Sequence, residues 1–242
     1  FWLVFRTDES TKSGDYRGSI RVDVEGKPST ILELVVSVRP ITLPRPNIAF
    51  GMFHPPRLPG HLRGETYDRM YFEDMVAHGM TTCTVAPGQL AEFTENTERR
   101  EGRIRYDSWP AGRMLQQMKE VGLVHSDIPT LLLDGRVNEV PDPVATAANL
   151  RKQIQNHDWP ELLLYMHDEP GWRQFEELTP YLTRWKKVPQ IRTVTAMNSQ
   201  PSYGLGYLHD VWIVRNDEIT PELLRESQRL GAEVWTLSLI HM

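Results

Sequence analysis

The sequence has 242 residues, of which 40% are hydrophobic and 24% are charged, a balance typical of a globular protein. Its net charge of -5 and its lack of a basic segment argue against nucleic acid and anionic membranes as partners. No apolar run approaches the roughly 18 residues of a membrane-spanning helix, and the single cysteine, Cys83, excludes a disulfide within these residues and a thiolate zinc cluster.

Residues 1–39 have the pattern of an all-β segment. FWLVFRTD predicts a first strand. In the second, Ile20, Val22 and Val24 alternate with charged residues, and STILELVVSVRP repeats this alternation, which is typical of half-buried strands. Three strands with short turns suit the last part of a β-sandwich. The prolines of RPITLPRPN then indicate a stiff linker.

After Asn47, strand patterns alternate with helix patterns. Seven segments predict strands: IAFGMF, MTTCTVAP, IPTLLLDG, ELLLYMHDEP, IRTVTAMN, DVWIV and AEVWTLSLI. Helices are predicted at residues 65–78, from Pro110, from Asp142 and Pro143, over residues 175–185, strained or broken at Pro180, and from Thr220 and Pro221. Strands that alternate with helices indicate parallel β/α units.

Such units occur both in doubly wound sheets and in barrels. No glycine-rich phosphate loop follows the first strand, which weakens the case for a nucleotide-binding sheet. We therefore expect an incomplete (β/α)8 barrel over residues 45–242, preceded by the end of a β-sandwich and a linker over residues 1–44. An eighth unit is expected beyond Met242 and further sandwich strands before Phe1. The connection SQPSYGLGYLH, too short for a full helix, is irregular for a barrel.

The fourth strand of the predicted barrel, LLLYMHDEP, ends in two adjacent carboxylates, Asp168 and Glu169. Loops that follow barrel strands form the active-site face, and Pro170 favours an extended backbone at Glu169. Carboxylates this close are expected to retain one proton near neutrality, which supplies an acid beside a permanent anion, as glycosidic cleavage requires. The alternative is that both carboxylates cap the helix that starts near Trp172.

A segment of the type GDYRGSIRVDVEG…VVSVRPITLP, followed by a barrel with Asp-Glu-Pro at strand four, resembles the family 123 glycoside hydrolases and a related uncharacterised family, domain of unknown function 4091. The resemblance covers most of the chain. It implies an enzyme without a cofactor, secreted or periplasmic, that cleaves β-linked N-acetylhexosaminides with the substrate's acetamido group as nucleophile. It also implies that Asp168 orients that group and that Glu169 is the acid/base.

The seventh predicted strand bears on which group acts as the nucleophile. Retaining glycosidases of the ordinary kind need a second carboxylate ~5 Å from the acid, and in many barrels it ends strand seven. Here that strand ends TLSLIHM, without Asp or Glu, and Glu233 lies at its opposite end. This favours a substrate-supplied nucleophile or an inverting base elsewhere. Asp217 and Glu218 are available as inverting bases, although both also suit a solvated loop.

Further polar and aromatic residues near strand ends suit carbohydrate recognition. The candidates for hydroxyl binding and for stacking on a sugar ring are His54, His167, Asn198, Asn216, Trp172, Tyr203 and Trp235. Rim loops, turn asparagines and core aromatics are their structural alternatives. No metal is expected, because His167 and Asp168 have no third ligand at diagnostic spacing.

The sequence thus predicts a glycosidase with a carbohydrate as its partner. Two alternatives stay open. One is an inverting glycosidase without acetamido preference, and the other is a non-catalytic glycan-binding or scaffold protein.

Overall fold

The computed structural model describes residues 3–8, 10–44, 47–52, 65–86, 90, 110–133, 140–189, 191–197 and 204–237. The chain divides into two compact units, Phe1–Pro46 and Asn47–Met242. No helix in the described ranges is both long and apolar enough to cross a bilayer.

The first unit contains an antiparallel hairpin of β1 (Gly14–Val22) and β2 (Thr30–Val38). Gly14 lies opposite Val38, and Ile20 lies opposite Leu32. Residues directly opposite each other share a face. One face of the hairpin is therefore apolar, through the following residues: Tyr16, Ile20, Val22, Leu32, Leu34, Val36 and Val38.

The expected β-sandwich segment is wrong. The described residues of the first unit form one two-stranded sheet, and residues 3–8, expected in a first strand, have no strand conformation. Alternation of apolar and polar residues reports a strand with one apolar face. It does not report whether a second sheet packs on that face, so a hairpin and a sandwich have the same sequence pattern.

The second unit alternates strands and helices in the described ranges. Its elements are β3 (Gly51–Met52), α1 (Glu65–Ala77), β4 (Thr82–Cys83), α2 (Pro110–Glu120), β5 (Thr130–Leu133), α3 (Pro143–His157), β6 (Leu162–Asp168), α4 (Phe175–Lys186), β7 (Thr193–Met197), β8 (Val211–Arg215), α5 (Pro221–Leu230) and β9 (Glu233–Leu237). In the described ranges, 3₁₀ helices lie at Trp172–Gln174, Gly206–Leu208 and Asn216–Glu218. Cys83 is buried, as expected for a structural thiol.

The expected incomplete (β/α)8 barrel is also wrong. The structure has a five-stranded parallel sheet in the order β5-β6-β7-β8-β9, the extent of a half-barrel, and a separate parallel pair, β3-β4. An isolated bridge between Val85 and Leu132 links the segment after β4 to β5. In the described part of the chain, β9 pairs with β8 and no ladder joins it to β3. Alternating β/α units are common to open sheets and barrels, and closure depends on pairing between distant strands that periodicity does not encode.

The strands β6, β7 and β8 are buried on both faces, as strands of parallel sheets usually are. One apolar cluster combines alternate residues of β6 with residues of α2, α3 and α4, namely Leu162, Leu164, Met166, Leu115, Leu150 and Leu182. The opposite face forms what we term the sheet-face cluster: Leu163, Tyr165, Val194, Ala196, Val211 and Ile213. The core therefore fixes β6 from both sides, up to the residues that precede the carboxylate pair.

Several helix ends were predicted from sequence and are confirmed. An Asp142 carboxylate oxygen accepts hydrogen bonds at 3.0 Å from the backbone N–H groups of Val144 and Ala145 at the start of α3. The Thr220 hydroxyl accepts from the Leu223 N–H at 3.2 Å at the start of α5.

Of the two outcomes expected at Pro180, strain or a break, the break is wrong, because α4 runs through this residue. A proline at this position removes one backbone donor, the one directed to the carbonyl four residues earlier. The neighbouring Thr179 hydroxyl donates to the Phe175 carbonyl at 2.6 Å.

Candidate active site

The site is built around a β-bulge in β6. The ladder to β7 shifts by one residue between Tyr165 and His167, so Tyr165 lies opposite Val194 and Asp168 lies opposite Ala196. Val194 and Ala196 are two residues apart on β7 and share a face of the sheet. The bulge therefore places Tyr165 and Asp168 on the same face, although three positions separate them in sequence. Bulges are common where a strand re-aims a side chain near an active site.

A short hydrogen bond joins these two side chains. The Tyr165 hydroxyl donates to Asp168 Oδ1 at 2.7 Å. Tyr165 is only 5% exposed, whereas Asp168 is exposed. Burial, together with the bond to Asp168 and the charge of Glu169, raises the pKa of the Tyr165 phenol above its usual range. The phenol therefore remains protonated and remains a donor.

Glu169 leaves the strand with a backbone that its sequence does not favour. Its φ is 45°, in the left-handed region, so the extended geometry expected before Pro170 is wrong. The Glu169 N–H donates to the Ala196 carbonyl at 3.3 Å, and Pro170 is buried. These tertiary contacts override the local preference. Non-glycine residues rarely adopt positive φ, and such strain is concentrated at functional sites.

Both carboxylates of the pair are accessible. Asp168 and Glu169 are exposed, and within the described ranges neither forms an ion pair. Arg215 at the end of β8 is a cation that interacts electrostatically with Glu169: its pKa is raised by Asp217 first and, more weakly, by Glu218 and Glu169. An accessible pair beside a buried donor and a neighbouring cation is suited to acid–base chemistry.

His167 lies in β6 just before the pair, and its side chain contacts the turn that follows the pair. Its Nδ1 donates to the Asp168 carbonyl at 2.9 Å, and its Nε2 lies 3.2 Å from the Gln174 side-chain nitrogen. The Gln174 oxygen accepts from the Gly171 N–H at 2.8 Å, so the Gln174 amide donates to His167. Both ring nitrogens thus have partners in the turn itself, which is the geometry of a structural histidine.

Two candidate sugar-binding residues lie near strand ends. Trp172 follows Glu169 by three positions and is 64% exposed, and its ring centroid lies 4.8 Å from that of Phe175. Asn216 is exposed immediately after β8. An exposed indole beside two carboxylates provides the flat apolar surface on which a sugar ring stacks.

Trp235 lies elsewhere. In the sheet register, Trp235 lies opposite Ile213, and Ile213 lies opposite Ala196. Ala196 in turn lies opposite Asp168. Trp235 is therefore three strands from Asp168, ~14 Å at the usual strand spacing. Its ring packs against the sheet-face cluster, and its indole N–H donates to Glu233 at 2.7 Å. This is the environment of a packed aromatic residue rather than of an exposed platform.

The two candidate inverting bases are held by one cation. Arg215 donates to both oxygens of Asp217 and lies 3.6 Å from a Glu218 oxygen. In these ion pairs the carboxylates are turned toward Arg215, which favours a structural role for Asp217 in particular.

Three sequence candidates, His54, Asn198 and Tyr203, lie outside the described residues. Among those described, no group of three or more His, Cys, Asp or Glu side chains is arranged to hold a metal ion. Sequence reasoning missed Tyr165, Gln174 and Arg215 as parts of the site. The available signal was a tyrosine, which carries a polar group, inside an apolar strand three positions before a carboxylate.

Comparison with known proteins yields little. No protein-family model matches the chain, and no curated protein matches it. Among solved structures, the chain is similar to a protein of Silicibacter pomeroyi DSS-3 that is provisionally named a glycerophosphoryl diester phosphodiesterase, with a TM-score of 0.35 and 13% sequence identity. The match covers 54% of this chain and 46% of that one, so it spans less than half of the solved protein.

Proposed function

We propose that the chain is a glycoside hydrolase whose catalytic groups are Asp168 and Glu169. One observation carries the proposal. Two adjacent carboxylates stand exposed at the carboxyl end of a buried parallel strand, and one of them is held by a buried tyrosine. Ligands of open α/β sheets bind outside the carboxyl ends of the strands, and a pair of carboxylates is the usual equipment for cleaving a glycosidic bond.

The two carboxylates have surroundings that suit different roles. Asp168 keeps a neutral hydrogen-bond donor on one oxygen, which suits a carboxylate that stabilises and orients a group of the substrate. Glu169 is carried out of the strand by its left-handed backbone, which suits an acid that reaches the leaving oxygen. This division agrees with the resemblance to the family 123 glycoside hydrolases.

The resemblance also supplies the finer proposal, that the substrate is a β-linked N-acetylhexosaminide. Its acetamido oxygen attacks the anomeric carbon as the glycosidic bond breaks, while Glu169 protonates the leaving oxygen. Water then attacks the anomeric carbon of the cyclic intermediate and gives its proton to the Glu169 carboxylate, which opens the ring, regenerates the acid and restores the β configuration. The pairing of Asp217 and Glu218 with Arg215 supports this route over an inverting one, because it engages the two candidate inverting bases.

A hydrolysis screen of the whole chain tests the proposal. We expect turnover of 4-nitrophenyl β-N-acetylgalactosaminide or β-N-acetylglucosaminide and little turnover of the matching plain hexosides. Asp168→Asn and Glu169→Gln are each expected to lower kcat/KM for an acetamido disaccharide, whose sugar leaving group is poor, roughly 10²-fold or more, the scale for removing a preorganised charge or a general acid.

The chain itself offers a matched control pair. Glu73 and Asp74 are adjacent exposed carboxylates on α1, so Glu73→Gln and Asp74→Asn are expected to leave turnover unchanged. The first-formed product, followed by ¹H NMR, is expected to be the β-anomer. An α-anomer would instead identify an inverting enzyme, and binding of the sugars without turnover would identify a glycan-binding protein.

A further inference from the structure

The Tyr165 ring is fixed by strands rather than by a loop. It is 5% exposed and belongs to the sheet-face cluster, in which residues of β6, β7 and β8 surround it. A ring packed in this way has little rotational freedom. The position of its hydroxyl oxygen is therefore set by the sheet and does not depend on bound substrate.

The direction of the phenol proton is also determined. The hydroxyl donates to Asp168 Oδ1 at 2.7 Å. A hydroxyl has a single proton to donate. The hydrogen bond to Asp168 therefore directs this proton at the carboxylate. Burial raises the pKa of Tyr165, so the donor persists across the pH range in which enzymes work.

Asp168 depends on this contact for its orientation. Its side chain is exposed, and Tyr165 is its side-chain hydrogen-bond partner in the described part of the chain. An exposed carboxylate with one oxygen held has its second oxygen free in a defined direction. Without the tyrosine, the carboxylate would rotate among several orientations.

We infer that Tyr165 is a positioning residue, which holds Asp168 Oδ1 so that Oδ2 faces the acetamido N–H of the substrate. This inference rests on the proposed function. It concerns orientation at the transition state, where the acetamido group gains charge. Loss of the hydroxyl is therefore expected to lower kcat more than it raises KM.

A double-mutant cycle tests the inference through kcat and KM for a 4-nitrophenyl β-N-acetylhexosaminide. Tyr165→Phe retains the ring and its packing. It is expected to lower kcat about tenfold in the natural chain, the scale of one hydrogen bond to a charged group, with KM changed less than about twofold. In the Asp168→Asn background the same substitution is expected to have less than a twofold effect, because the carboxylate that it positions is gone.

Two measurements separate this role from a structural one. Urea unfolding is expected to show that Tyr165→Phe folds cooperatively, since the ring remains and the exposed carboxylate regains water. Tyr181→Phe, which alters a partly buried tyrosine of α4, is expected to keep natural kcat.

Equal losses from Tyr165→Phe in both backgrounds, or no loss in the natural chain, would overturn the positioning role and leave the proposed function intact. If the natural chain hydrolyses no acetamido glycoside, both the function and the role of Tyr165 are overturned.

Discussion

At the scale of single residues, Asp168 and Glu169 are neighbours in sequence but not in environment. A neutral phenol holds one oxygen of Asp168, whereas Glu169 follows a left-handed backbone step and feels the charge of Arg215. Groups with different surroundings in one site commonly have different roles in the reaction. The dependence of kcat/KM on the leaving group distinguishes such roles, because only the acid protonates the aglycone as it departs.

Glu169→Gln is expected to remove most turnover of acetamido glycosides with poor leaving groups and to spare activated aryl glycosides, whose leaving group needs little protonation. Asp168→Asn is expected to damage both substrate types alike, by roughly 10²-fold. The measurement is kcat/KM across a series of aryl N-acetylhexosaminides, plotted against the pKa of the leaving phenol. Parallel plots for the two variants would contradict the division of roles.

Azide provides a control on the nucleophile. If the acetamido group of the substrate attacks, Asp168→Asn vacates no nucleophile position on the enzyme. External azide is therefore expected to leave its rate unchanged and to form no glycosyl azide of inverted configuration. Appearance of that product in the reaction mixture would identify Asp168 itself as the nucleophile.

The left-handed backbone of Glu169 leads to a prediction about the free energy of unfolding. At φ 45°, a side chain with a Cβ is strained, and glycine is not. Glu169→Gly is expected to unfold with a free energy about 1 kcal/mol higher than Glu169→Ala. Both variants lack the carboxylate, so both are expected to lose most turnover of glycosides with poor leaving groups. Urea denaturation of the two proteins is the measurement, and equal stabilities would contradict strain at this position.

At the scale of elements, helix ends could be predicted from sequence, because capping depends on residues that are close together in the chain. Asp142 and Thr220 were expected to cap helices, and each side chain does so. The bulge in β6 was not predictable, because the shift at Tyr165 depends on pairing with β7, which is distant in sequence. Strict alternation would place Tyr165 and Asp168 on opposite faces. The pair of carboxylates was therefore found from sequence, while the tyrosine that holds one of them was not.

The amino ends of the strands are joined by Arg192. Its guanidinium donates to both oxygens of Glu161 at 2.8 and 2.9 Å and to Glu233 at 2.7 Å. A double-mutant cycle of Arg192→Met and Glu161→Gln is expected to give a coupling free energy of about 1 kcal/mol, since the pair is bidentate but partly solvated. The measurement is urea unfolding at low salt, and the coupling is expected to weaken at high salt.

A matched pair on α5 serves as the control for this cycle. Arg225 and Glu222 approach each other on the exposed helix surface. Their cycle is expected to give a coupling near zero, because solvent and side-chain entropy offset the attraction. Equal couplings for the two pairs would show that the contact between strands adds nothing beyond a surface ion pair.

At the scale of the whole molecule, the order of strands and helices followed from sequence and the architecture did not. Five of the seven strands expected after Asn47 form one parallel sheet, but neither the expected barrel nor the expected sandwich is present in the described residues. Closure of a sheet and the packing of a second sheet are both set by contacts between distant segments. The alternation of apolar and polar residues in residues 1–39 is the same whether the apolar face of the hairpin is exposed or is covered by a second sheet.

His209 links the whole fold to pH. It is fully buried before β8, and neither ring nitrogen has a hydrogen-bond partner in the described part of the chain. Burial lowers the pKa of His209 to about 3, with Asp210 opposing the shift and Lys186 and His167 adding to it. The unfolded chain binds this proton near pH 6.5. The contribution of neutral, buried His209 to the free energy of unfolding is therefore fully present above pH 6.5 and is lost as the pH falls toward 3.

His209→Leu is expected to remove this pH dependence. One proton bound only by the unfolded chain lowers the free energy of unfolding by up to about 1.4 kcal/mol per pH unit below pH 6. The measurement is urea unfolding at pH 7, 6 and 5, above the range where most carboxylates titrate. The leucine variant is expected to have a flatter profile and, since the orphaned ring nitrogens are gone, at least natural stability at pH 5. Met197→Leu, a buried exchange without a titratable group, is expected to keep the natural slope. An unchanged slope in His209→Leu would mean that other groups govern the acid sensitivity of the fold.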